Sequence, residues 1–140
     1  MMVDRIHRVV ASALVVAVLA LVGGCSDNNT NVINPAFQPE VTNNIDNFQF
    51  QATNVTNVSQ VLTYSWRNTG IQANVDQSCS ITGGTAMLMM SDSTGTQVCS
   101  RNMADGGSVA STAGLPGMWT IRVMLTGVSG TLNFRAQKKT

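Results

Sequence analysis

The residues able to do chemistry in this 140-residue chain are few: Cys25, Cys79 and Cys99, the lone histidine His7, and the aspartates Asp46, Asp76, Asp92 and Asp105. His7 lies in the charged N-terminal stretch, so a chain cleaved beyond it keeps no imidazole. That removes Ser-His-Asp and Cys-His catalysis and the commonest metal ligand. A nucleophile elbow (Gly-x-Ser-x-Gly), a phosphate loop and a dinucleotide-type glycine pattern are all missing from the sequence. Two carboxylates can cleave a glycosidic bond. Here, however, the four aspartates of residues 45–140 are scattered at or near turns, where aspartate is common for backbone reasons, and the only glutamate of the chain is Glu40. The loops Asp92-Ser93-Thr94-Gly95 and Asp105-Gly106-Gly107 offer oxygen ligands but match no repeat-type or EF-hand calcium loop. Met87, Met89 and Met90, with Met103, Met118 and Met124, could present thioethers to Cu(I). A strand sends neighbouring side chains to opposite faces, so a core-filling role suits these methionines better. The sequence therefore predicts a non-enzyme without metal or cofactor.

Binding groups are equally sparse. Tyr64, Trp66 and Trp119 are the candidates for a sugar-stacking platform, although their alternation with polar residues reads first as core. Arg122, Arg135, Lys138 and Lys139 read as a solvated face and tail. The formal net charge of +1 argues against nucleic acid, which needs a basic face to displace counterions.

The N-terminus is an address. Arg5, His7 and Arg8 precede an uncharged run from Val9 to Val22, about 14 residues long and short of the roughly 20 that span a bilayer. Gly23, Gly24 and Cys25 follow. The segment Leu21-Val22-Gly23-Gly24-Cys25 resembles the lipobox of bacterial lipoproteins. That resemblance implies cleavage before Cys25 and acylation of its sulfur, with the bilayer as partner. Two or three acyl chains hold a small protein firmly where one is marginal. Ser26 after the cysteine, in place of aspartate, leans towards the outer membrane if the host is Gram-negative. The expected location is the cell envelope.

With Cys25 taken by lipid, Cys79 and Cys99 remain. An even pair in an exported protein reads as a disulfide, closing a loop of about 20 residues and contributing roughly 3 kcal/mol. A Cys-x-x-Cys motif is missing, and two cysteines without histidine do not complete a usual zinc site.

The elements that must position these groups follow from the apolar period. Residues 1–24 read as signal and 25–44 as a lipidated N-terminus and Asn-rich tether, with Pro35 and Pro39. From residue 45 to 140 the period is two. Phe48, Phe50 and Ala52 alternate with polar residues, as do Leu62, Tyr64 and Trp66, then Ile71, Ala73 and Val75, and finally Cys79 and Ile81. Met87–Met90 suits a strand buried on both faces. Trp119 to Leu125 and Leu132 to Ala136 alternate again, with Gly127-Val128-Ser129-Gly130 between them as a hairpin turn. Asn54 to Ser59 reads as a turn or edge. About eight short strands with turn signals every 8–12 residues predict an all-β chain, an antiparallel, jelly-roll-like β-sandwich.

Thr85–Asp92 with Ser93-Thr94-Gly95 and Val98, and Gly114 to Val123 with the glycines 127 and 130 and the strand to Arg135, are similar to the strands and closing hairpin of the bacterial pre-peptidase C-terminal domain and of proprotein-convertase-type P domains. That resemblance implies a small accessory β-sandwich without catalytic residues of its own. The sequence reading is a lipid-anchored envelope protein with a non-catalytic domain for binding, assembly or support. Its alternative is a glycan or small-ligand binding module, with an envelope hydrolase third.

Overall fold

The computed structural model describes residues 37–140. Seven strands form one antiparallel sheet: β1 (Glu40–Asn44), β2 (Asn47–Asn68), β3 (Ala73–Gln77), β4 (Ser80–Ser91), β5 (Gln97–Asn102), β6 (Gly107–Ala110) and β7 (Gly117–Lys138). The all-β, antiparallel class expected from the sequence is the class observed. Two strands of 22 residues, β2 and β7, form its spine and pair from Asn47 opposite Gln137 to Asn68 opposite Gly117. β3 and β4 lie end to end along the other edge of β7, with the Ser78 N–H bonded to the Asn133 carbonyl at 2.9 Å between them. β1 extends the sheet beyond β2, β6 beyond β3, and β5 beyond β4.

The long strands bend along a common line. The β2 register slips at Ala52, Val55 and Val58, and the β4 register slips around Gly83. A bulge inserts a residue and kinks its strand. Here Ala52, Val55 and Val58 are buried at a spacing of three, so each inserted residue returns the next apolar side chain to the same concave face. Asn54 and Asn57 adopt φ of 55° and 47°, and Gly84, Gly127 and Gly130 adopt 73°, 57° and 129°. Asparagine and glycine are the residues that tolerate this region. Backbone groups freed by the bulges find hydroxyls: Gly127 N–H donates to Ser59 Oγ at 2.8 Å and Asn57 N–H to Ser129 Oγ at 2.9 Å.

Bent in this way, the sheet folds over on itself. One half carries β1, the start of β2, the end of β7, β3 and β6; the other carries the end of β2, the start of β7, β4 and β5. Phe48 and Tyr64, from the two ends of β2, meet with ring centroids 5.4 Å apart. At the mouth opposite the bend, Asp46 N–H donates to the Arg67 carbonyl at 2.9 Å. Residues 111–114 close the side: Ser111 N–H bonds the Ala73 carbonyl at 2.8 Å, and Thr112 N–H bonds the Val98 carbonyl at 2.9 Å. The enclosed apolar side chains form one core around Trp66, Trp119, Phe48, Phe50 and Phe134.

Several expectations are corrected. Gly127–Gly130 is a bulged stretch inside β7 and not a hairpin turn, and Asn54–Ser59 lies within β2. Seven strands therefore replace about eight. Residues 37–44 belong to the domain and not to a tether: Phe37 is 2% exposed, and β1 pairs with β2. β1 escaped the periodicity because every residue of this edge strand is exposed. Met87–Met90 is buried on one face only; Leu88 and Met90 point inward, while Met87 and Met89 are half-exposed.

The bend demands close backbone approach. A Cβ on Gly130 would stand 2.1 Å from the Ser80 carbonyl oxygen, whereas one on Gly95, in the β4–β5 turn, would meet nothing within 4 Å. Gly130→Ala should therefore cost about 2–4 kcal/mol and Gly95→Ala about 1 kcal/mol. Urea unfolding of the two variants checks this, and equal costs would contradict the crossing of β4 and β7 at the bend.

Candidate functional site

The tryptophans do not form a platform. Trp66 and Trp119 face each other across β2 and β7, both 0% exposed, with rings edge-to-face at 6.0 Å. Each indole N–H is satisfied: Trp66 Nε1 donates to the Asn44 carbonyl at 3.0 Å, and Trp119 Nε1 to the Leu115 carbonyl at 2.8 Å. Such a pair adds about 0.5–1.5 kcal/mol beyond its burial. Tyr64 is held against Phe48 and Phe50, and burial pushes its hydroxyl up to about 12. These side chains build the core, so the sugar-stacking role considered for Trp66 and Trp119 is excluded by their burial.

The expected Cys79–Cys99 disulfide is not formed; both thiols are free. Cys79 precedes β4, while Cys99 on β5 pairs with Met90 near the far end of that 12-residue strand. Cys79 sits in the gap between β3 and β4, where its Sγ accepts from Asn133 N–H and donates to the Asn133 carbonyl, both at 3.3 Å. Burial pushes both thiols up, an effect the Asn133 and Ser78 backbone bonds oppose at Cys79 and Arg101 opposes at Cys99. Cys25 and the signal segment 1–24 lie outside the described residues.

Three aspartates serve the fold. Asp92, 4% exposed, accepts on Oδ1 from the Thr94 hydroxyl (2.7 Å), Thr94 N–H (2.9 Å) and Thr96 N–H (3.0 Å), and on Oδ2 from Leu115 N–H (2.9 Å). The Thr94 hydroxyl first, and then the Leu115 N–H, hold its carboxyl down at about 2. Both oxygens of this loop aspartate are thus taken up by the turn it organises. Asp46 spans the mouth, accepting from Thr69 N–H and the Thr69 hydroxyl at 2.7 Å each and pairing with Lys138 at 3.1 Å. Burial would raise its carboxyl, but the Thr69 bonds and the Lys138 ammonium bring it below the usual range.

The third, Asp76, lies in a different setting. Gln49, Arg135, Asp76 and Ser108 form one cross-strand row over β2, β7, β3 and β6 on the outer face of the sheet. Arg135 pairs with Asp76 Oδ2 at 3.2 Å, and the Ser108 hydroxyl donates to Oδ1. The Ser108 hydroxyl, against a smaller opposing effect of burial and with help from Arg135, keeps Asp76 below the usual carboxylate range. This row borders a depression of about 280 Å³, whose lining also includes Gln77 and Asn133. A second depression of about 340 Å³ shares Asp76 and Ser108. Gly107 has φ of 76°, and a Cβ there would meet nothing within 4 Å, so the rim is open backbone.

Gln77 is 5% exposed, yet neither its carboxamide nitrogen nor its oxygen has a hydrogen-bond partner. An unsatisfied buried polar group costs about 1–3 kcal/mol. Reasoning from the sequence missed this residue. The available signal was its phase: Gln77 follows Ala73 and Val75 on the inward side of β3, a polar residue on an apolar stripe.

No family model, curated protein or solved structure matches the chain. The likeness to lipobox lipoproteins and to the pre-peptidase C-terminal domain therefore rests on the residues quoted for it. Of those, Gly127 to Gly130 make no closing hairpin.

Two measurements follow. Denatured Cys25→Ser protein should titrate two free thiols, Cys79 and Cys99; a value of zero would contradict the free state of both. Asp92 stabilises the fold above its ordinary value of 3.8, and that contribution disappears as pH falls through about 2. Asp92→Asn should be less stable at neutral pH and show a shallower loss of stability on acidification below about 4. Thermal melts across that pH range provide the comparison, and parallel curves for the two proteins would be the contrary result.

Proposed function

We propose that this chain is a lipid-anchored protein of the cell envelope whose β domain binds, assembles or supports without catalysing a reaction. The observation that carries the reading is the order of residues at the N-terminus: basic start, uncharged run from Val9 to Val22, then Leu21-Val22-Gly23-Gly24-Cys25. The geometry is compatible with it. The described domain begins at Phe37, so about a dozen residues after Cys25 can reach at most roughly 40 Å from a bilayer. The chain enters β1 at Glu40, opposite Gln51 and close to the bend.

The engagement of the aspartates supports a non-catalytic role. Asp46, Asp76 and Asp92 all sit below the usual carboxylate range, which makes them poor proton donors near neutral pH. The alternative, a glycan or small-ligand binding module, loses its aromatic platform but is favoured by the polar depression beside Asp76. An envelope hydrolase gains no support from these carboxylates.

The lipid anchor is tested at Cys25. Cys25→Ser should leave the membrane fraction and lose the mass of the acyl chains. Unchanged fractionation and an unchanged mature mass would refute the anchor.

A further inference from the structure

We propose that Met87, Met89 and Met124 form a binding site for a soft monovalent metal ion, Cu(I), on the outer face of β4 and β7. The inference goes beyond the reading of the domain as an envelope module and does not depend on the lipid anchor.

Strand register places the three side chains together. Met87 lies directly opposite Met124, and Met89, two residues further along β4, lies opposite Arg122. Their neighbours along the strands, Ala86, Leu88, Met90, Val123 and Leu125, are all buried. Side chains alternate along a strand, so Met87, Met89 and Met124 share the outer face. Opposite Cβ atoms stand about 4.5–5.5 Å apart, and residues two apart on one strand about 7 Å. A methionine sulfur sits two bonds beyond its Cβ on an unbranched, rotatable stem. One ion above the middle of this triangle is therefore within reach of all three sulfurs.

Two features set the trio apart from ordinary surface. The outer face of such a sheet is normally polar, and the surrounding outward positions follow that rule with Thr63, Ser65, Thr120, Ser91 and Ser100. The methionines are apolar exceptions that adjoin one another, and they are not the β-branched residues that strands favour. All three are also half-buried although they face outward. Val61, opposite Met124 on β2, adds apolar cover on one side. An uncharged thioether competes poorly with water, so a site built from thioethers needs such shelter.

The donors define the ion. Thioether sulfur is soft and selects Cu(I), whereas hard cations seek oxygen. Arg122, opposite Met89, places a positive charge beside the site. It repels a divalent ion twice as strongly as a monovalent one. Among the described residues, no group of three or more His, Cys, Asp or Glu is placed to hold a metal ion. The pair of methionines that takes opposite faces is Met89 and Met90; the pair two apart converges, and β7 supplies the third sulfur.

The test uses the full chain, isotope-labelled at its methionine methyl groups, without oxygen. The probes are Ag(I), a redox-inert ion of the same charge and softness, and Cu(I) with bicinchoninate as competitor; Zn(II) is the divalent control. Cys79 and Cys99 are free thiols that also take up these ions, so binding is read at the methyls and not from total metal. Titrated past any uptake by the thiols, Ag(I) should shift the methyls of Met87, Met89 and Met124 together. Met90 and Met103 in the core, and Met118, should stay still. Met87→Leu, Met89→Leu and Met124→Leu should each weaken Cu(I) binding at the remaining methyls by about 10–100-fold, at least what the loss of an outer partner costs a metal site. The melting temperature should not change, and Met118→Leu should leave the binding as it is. Methyls that do not respond, metal held by the thiols alone, an equal response to Zn(II), or Cu(I) binding undiminished by the three leucine substitutions would overturn the proposal.

Discussion

Phe48 and Tyr64 belong to the same strand and stand near its opposite ends, yet their rings meet at 5.4 Å. The contact is possible only because β2, β4 and β7 bend together along one line. Almost everything else depends on that bend. Without it, Phe48, Phe50 and Phe134 would lie on one open face and Trp66 and Trp119 further along it, with nothing opposite. A single sheet cannot bury a face against itself while flat; it must be covered by another layer or folded. Here the second layer is the other half of the same strands.

The bend sets specific demands on the backbone. Residues in the left-handed region cost free energy unless they are glycine or asparagine, and the five at the bend are Asn54, Asn57, Gly84, Gly127 and Gly130. Where β4 and β7 cross, a Cβ on Gly84 would come within 2.2 Å of the Gly127 carbonyl oxygen. The mouth is secured by different means. Asp46 ties Thr69 to Lys138, Asp92 gathers the Thr94–Thr96 turn and Leu115, and residues 111–114 join the two halves. The aspartates that looked like candidate ligands or acids are thus largely the fastenings of the open end, and the only one left beside a polar hollow is Asp76.

The class of fold was legible in the sequence because a half-buried strand leaves a period of two, and Phe48 to Ala52, Leu62 to Trp66 and Trp119 to Leu125 show it plainly. The joins were not. A glycine at positive φ looks the same in sequence whether it turns a hairpin or bulges a continuous strand, so Gly127–Gly130 was read as a turn. Ala52, Val55 and Val58 did carry a clue, a spacing of three that double bulges produce. β1 left no trace, since an edge strand with every side chain exposed has no apolar period.

The sequence by itself determined the composition of the two sheet faces, the turns at Asn68–Gly70 and Asp92–Gly95, and the apolar run and cysteine on which the envelope reading rests. These are local properties, set by side-chain chemistry and by neighbours a few residues away. Only the tertiary structure decided which strands continue through their glycines, that Cys79 and Cys99 lie at opposite ends of β4, and that Trp66 and Trp119 cover each other. It alone brought Gln49, Asp76, Ser108 and Arg135 into one row. Those relations are set by strand register, and register depends on pairings between distant parts of the chain that no local pattern encodes.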